Sequence, residues 1–113
     1  MKTSRVDSKR SLTKEQFISL ISKQFQNISF QVDQSLKPTT IKRNENTILR
    51  IFPRRDGSLL ISLESGKKRQ FKEGLEVVIS PNDRHAPLKD GEPTIIPKVP
   101  PGNYFLSVKR KLT

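Results

Sequence analysis

The sequence predicts an α+β fold in which one N-terminal amphipathic helix precedes an antiparallel meander of about five to six strands. Three observations carry this. Thr13-Lys-Glu-Gln16 reads as a helix start, followed by apolar residues at three- and four-residue spacing. Between Thr47 and Ser80, four short runs rich in β-branched and aromatic residues are separated by Arg54-Arg55-Asp56-Gly57, Ser65-Gly66 and Glu73-Gly74. Leu, Ile, Val and Phe account for 33 of the 113 residues, well above the roughly 20% below which a chain of high charge stays disordered. One modest core is therefore expected, in a single domain spanning 12–113.

Taken in order, residues 1–11 hold Lys2, Arg5, Lys9 and Arg10 against Asp7 and little that is apolar. They read as a flexible basic arm. Thr13 is the expected N-cap, with Gln16 completing a capping box and Leu12 and Phe17 placed as a hydrophobic staple. Phe17, Ile18, Leu20, Ile21 and Phe25 form the apolar stripe, so the helix should run to about Gln26 and lie on a sheet. Ile28, Phe30 and Val32 alternate with Ser29, Gln31 and Asp33, the period of a strand with one buried face. Residues 34–46 are polar and read as a long loop, with Ile41 opening an edge strand.

The meander follows. Leu49 and Ile51 face one way and Arg50 the other; Leu59, Ile61 and Leu63 alternate with Leu60, Ser62 and Glu64; Leu75, Val77 and Ile79 alternate with Glu76, Val78 and Ser80. Ile48, Phe52, Leu60 and Val78 make the second face partly apolar. That requires either a sheet curled into a partly closed small barrel, or cover from the helix or tail. Residues 81–102 contain six of the eight prolines and read as a long irregular loop, with Thr94 to Ile96 as a short edge strand. Tyr104 to Val108 reads as a closing strand with Tyr104, Leu106 and Val108 inward.

Charge bears on partners. Lys and Arg number 22 against 11 Asp and Glu, a net +11 at neutral pH, and the pI is near 10.4, in the range of nucleic-acid-binding domains. No apolar run approaches the roughly 18 residues of a membrane span, and no signal-peptide core follows the basic N-terminus. The expected location is intracellular, in cytoplasm or nucleoid. Without Cys, disulfides, thiolate metal sites and Cys nucleophiles are excluded.

Ten cations are the expected phosphate contacts: Arg50, Arg54, Arg55, Lys67, Lys68, Arg69, Lys72, Lys109, Arg110 and Lys111. They come from turns, strand ends and one strongly cationic strand, where long side chains can converge on a backbone of phosphates. Lysines on edge strands also block aggregation, which accounts for a few of them and not for an excess of eleven. Phe52 and Phe105 are the expected base-stacking aromatics, with Tyr104 facing away from Phe105.

Signals for catalysis and cofactors are sparse. No phosphate loop or metal-ligand spacing is present, so no cofactor and no metal are expected. His85, in Asn-Asp-Arg-His, is the single imidazole; with Asp83 and Arg84 it could serve a metal-independent ribonuclease. The leading expectation is a small basic DNA- or RNA-binding protein that is not an enzyme. The first alternative is an adaptor, or a homodimer, using Ile48, Leu60, Val78 and the stretch Ile95 to Pro100. The second is a toxin-like ribonuclease built on His85.

Overall fold

The computed structural model describes residues 13–66 and 74–111. The basic arm 1–11 and the cationic run Lys67, Lys68, Arg69 and Lys72 lie outside the described residues.

Helix α1 (Lys14–Gln24) begins with the expected capping box: the Thr13 hydroxyl accepts from Gln16 N–H at 3.1 Å, and Gln16 Oε1 accepts from Thr13 N–H at 3.0 Å. Two of the orphan N–H groups at the helix start are thereby satisfied. At the other end Arg43 Nε donates to the Gln24 carbonyl at 2.9 Å, and its guanidinium lies over the Phe25 ring, 5.6 Å from the centroid. A cation there also suits the negative end of the helix dipole. Phe17, Ile18, Ile21 and Phe25 are buried, whereas Leu20 is 46% exposed.

Among the described residues, eight strands form two four-stranded antiparallel sheets. The first, in the order β1-β8-β5-β6, comprises β1 (Ile28–Val32), β8 (Gly102–Arg110), β5 (Leu75–Ser80) and β6 (Arg84–Leu88). The second, in the order β2-β3-β4-β7, comprises β2 (Thr39–Lys42), β3 (Ile48–Pro53), β4 (Leu59–Glu64) and β7 (Thr94–Ile96). Both turn their apolar sides into one core, with Leu49, Ile51, Leu59, Ile61 and Leu63 from the second sheet and Val77, Ile79, Leu106 and Val108 from the first. The class is α+β as expected.

Among the described residues the strands form two sheets and no closed barrel. The meander is also divided between them. β3 pairs with β4, but β5 pairs with β8 and β6, so the chain changes sheets between Glu64 and Leu75. Residues 81–102 are more regular than expected, because β6 as well as β7 lies within them. β6 tolerates Pro87 because it is an edge strand, where a missing N–H breaks no ladder. The two sheets meet on this side, where Thr94 Oγ1 donates to the Pro87 carbonyl at 2.7 Å.

β8 is the longest strand, nine residues, and organises the first sheet. Its first half pairs with β1, from Gly102↔Val32 to Leu106↔Ile28. Beyond β1 its free edge meets the end of α1: Val108 N–H donates to the Phe25 carbonyl at 2.8 Å, and Asn27 N–H donates to Ser107 Oγ at 2.9 Å. The helix thus completes the edge that β1 leaves open.

Candidate nucleic-acid interface

The register of the first sheet determines what its outer face presents. On β8, Asn103, Phe105, Ser107 and Lys109 alternate with the inward Tyr104, Leu106 and Val108. Phe105 has Ser29 of β1 on one side and Ser80 of β5 on the other. Neither serine is large enough to cover a phenyl ring, and Phe105 is 48% exposed. Toward one end of the face Asn103 pairs with Gln31. Toward the other, Val78 pairs with Ser107 and with His85, and Glu76 pairs with Lys109 and with Pro87. The face therefore carries one exposed ring amid hydroxyls and amides, with a lysine four residues along the same strand.

Beneath it Tyr104 is held. Its ring stacks on Phe30 at 5.6 Å between centroids and its hydroxyl donates to the Pro100 carbonyl. This pair stiffens the start of β8 under the exposed face.

Among the described residues, the expected cations are distributed rather than gathered. Arg50 lies on the outer face of the second sheet, half-buried, with Nη1 4.0 Å from Glu64 Oε1. Arg54 and Arg55 are exposed in the β3–β4 turn, which is closed by Arg54 N–H to Ser58 O and Gly57 N–H to Arg54 O. In that turn Asp56 accepts from the Ser58 hydroxyl and amide, which hold its carboxyl below the usual range. Of the six of these cations among the described residues, Lys109 stands on the same outer face as Phe105. Arg110, one residue on, points to the other side and pairs with Glu15 of α1. That hydrogen bond is the main reason the Glu15 carboxyl lies below its usual range. Lys111 is exposed, and its N–H donates to the Gly74 carbonyl at 2.8 Å. Lys67, Lys68, Arg69 and Lys72 fall outside the described residues.

The two stacking candidates separate. Phe105 is exposed, whereas Phe52 is half-buried in a row formed with Leu60 and Ile95 across β3, β4 and β7. Ile48, Leu60 and Val78, expected as exposed apolar residues, are each half-buried, and of the Ile95 to Pro100 stretch Ile96 and Val99 are buried.

Sequence reasoning placed His85 in a loop beside Asp83 and Arg84. The structure puts it on β6 with Nδ1 3.6 Å from Glu76 Oε2. Arg84 is committed elsewhere, its guanidinium donating to the carbonyls of Lys98, at 2.8 Å, and Pro97. Only the alternation of Glu76 with inward Leu75 and Val77 hinted at the carboxylate; its partner strand was unreadable. Asp90, buried, accepts from Ser65 N–H at 3.0 Å and so joins the ends of β4 and the β6–β7 connection. Among the described residues no three His, Asp or Glu side chains come together as a metal site, and no helix is long and apolar enough to cross a membrane.

Compared with known protein families, curated proteins and solved structures, the chain gives no match.

Proposed function

We propose that this protein binds single-stranded nucleic acid across the outer face of its first sheet. The observation that carries the reading is Phe105, half-exposed at the middle of the central strand between two serines. An aromatic ring costs free energy in water, and a row of serines leaves it uncovered where a single larger residue would have shielded it. Bases stack on such rings whatever their identity. Asn103, Gln31, Ser29, Ser80 and Ser107 offer donors and acceptors to base edges and sugars around it, and Lys109 supplies a phosphate contact. The net charge of +11 draws a polyanion toward the whole surface. A flat sheet face with one protruding ring suits a strand whose bases are already unstacked, and suits a duplex poorly.

The test is a titration of labelled single-stranded RNA, single-stranded DNA and duplex DNA at low and moderate salt, followed by fluorescence anisotropy. Preferential, salt-weakened binding of a single strand is the expected result. Equal weak binding to all three, vanishing at moderate salt, overturns it.

A protein-partner reading rests on a different observation, the row Phe52, Leu60 and Ile95, with Ile95 51% exposed on the edge strand β7. Sedimentation at high concentration tests the homodimer form of it: an Ile95→Lys variant should abolish any self-association seen.

A further inference from the structure

Three groups with acid–base or charge-stabilising chemistry reach the outer face of the first sheet from three adjacent strands. Glu76 on β5 has Lys109 of β8 directly opposite on one side and Pro87 of β6 on the other. His85 stands diagonally across on β6, opposite Val78, and its Nδ1 lies 3.6 Å from Glu76 Oε2. The Glu76 side chain is 17% exposed and that of His85 53%. The carboxylate is thus held in the sheet surface while the imidazole stands largely in solvent. With the imidazole largely in solvent, a contact of 3.6 Å adds little to stability. The same strand positions would be served as well by threonines, so folding alone does not account for this trio beside the exposed ring of Phe105.

We propose that Glu76, His85 and Lys109 cleave RNA by transphosphorylation. The proposal rests on the single-strand reading above, since the same face must hold the substrate. The form that reacts is carboxylate with imidazolium. Glu76 takes the proton of a ribose 2′-hydroxyl, and O2′ attacks the adjacent phosphorus, forming the O2′–P bond. The P–O5′ bond breaks as the leaving O5′ takes a proton from the His85 imidazolium. The products are a 2′,3′-cyclic phosphate and a 5′-hydroxyl. One proton is taken up and one given, no electron is transferred, and exchange with water restores carboxylate and imidazolium.

Lys109 places its ammonium where negative charge grows on the non-bridging oxygens of the phosphorane. In the free protein Glu76 and His85 face one another; a phosphate entering between them displaces that contact, and the exposed imidazole has room to turn outward. Phe105 lies four residues from Lys109 along β8, about 13 Å at the usual rise of a strand. A base stacked on the ring would hold the chain across the sheet while its backbone reaches the trio. The chemistry requires the 2′-hydroxyl, so DNA would be bound and left intact.

The purified full chain is incubated with a short mixed-sequence single-stranded RNA in EDTA, and binding and cleavage are followed in parallel by anisotropy and denaturing gel. The expected result is fragments ending in 2′,3′-cyclic phosphate, with a 2′-O-methyl copy of the RNA bound but uncut. His85→Ala and Glu76→Gln, purified identically, should each cleave at least about 100-fold more slowly at RNA concentrations where anisotropy shows the variant saturated. RNA that is bound and stays intact overturns the nuclease and leaves the binding function standing. Cleavage undiminished in His85→Ala overturns it too, as a contaminating activity. Failure to bind any single strand overturns both.

Discussion

At the scale of single residues, Phe105 and Phe52 have nearly the same sequence context, an aromatic in an alternating strand close to cations, and different surroundings. Phe105 lies between Ser29 and Ser80 and is exposed; Phe52 lies against Leu60 and is half-buried. Phe105→Ala should therefore leave the melting temperature nearly unchanged and weaken single-strand binding by about 10- to 100-fold, since stacking on an aromatic is worth roughly 1–3 kcal/mol per base. Phe52→Ala should lower the melting temperature and leave affinity alone. Thermal melts and anisotropy on the same preparations check both; the reverse pattern would move the site to the second sheet. That Phe105 faces outward was legible in its alternation with Tyr104 and Leu106. Its exposure was not, because that depends on Ser29 and Ser80, which the fold brings beside it from distant parts of the chain. A second residue-scale prediction concerns acid. Glu15 is held below its usual range by Arg110, Asp33 by the hydroxyl and amide of Ser35, and Asp56 by those of Ser58. Carboxyls more acidic in the folded than in the unfolded chain contribute stability that is complete above the ordinary carboxylate range and is lost as pH falls through their folded values. Melting temperature should hold at neutral pH and decline from roughly pH 4.5 downward, with a shallower decline in Glu15→Gln.

At the scale of elements, what could be read was whatever repeats locally. The capping box of α1, the strand Ile28–Val32, the inward triplets of β4 and β5 and the closing strand β8 were each legible from spacing alone. Sheet membership was not, because alternation reports which side of a strand meets the core and is silent on which strand lies beside it. β6 was missed because Asn82-Asp83 and Pro87 carry turn chemistry, which an edge strand tolerates. The join between α1 and the first sheet is the element most open to test. Gly74, just before β5, has φ +109°, and a Cβ there would sit 3.0 Å from Ile18 Cδ1 and from Lys14 Cε of the helix. Gly74→Ala combines an unfavourable backbone with a close approach to a buried side chain and should cost about 1–3 kcal/mol. Thr13→Ala, which removes only the cap, should cost about 1 kcal/mol. Chemical denaturation distinguishes the two, and a Gly74→Ala protein as stable as wild type would mean that α1 can shift off the sheet without penalty.

For the whole molecule, the net charge of +11 sets how strongly a polyanion is attracted, while the fold determines which cations meet it. Arg110 is engaged by Glu15, Arg84 by the carbonyls of Pro97 and Lys98, and Arg43 by that of Gln24, so none of these is poised to meet a phosphate on the Phe105 face. Lys109 stands on that face, and Arg54 and Arg55 project from the β3–β4 turn. Counterions are released only from phosphates that cations contact, so the slope of log K against log salt counts contacts rather than total charge. About five contacts to a single strand give a slope near −3.5, whereas diffuse attraction to about eleven would give a slope of roughly −8. Contacts confined to a few exposed cations should give the shallower value, and two neighbouring substitutions test the assignment within one strand. Lys109→Ala should make the slope shallower by about 0.7, the loss of one contact. Arg110→Ala removes an equal charge one residue away, and should leave the slope unchanged while lowering stability through the lost tie to α1. Equal changes in slope for both variants would show that charge acts at long range, and that the outer face of the first sheet is not where the strand lies.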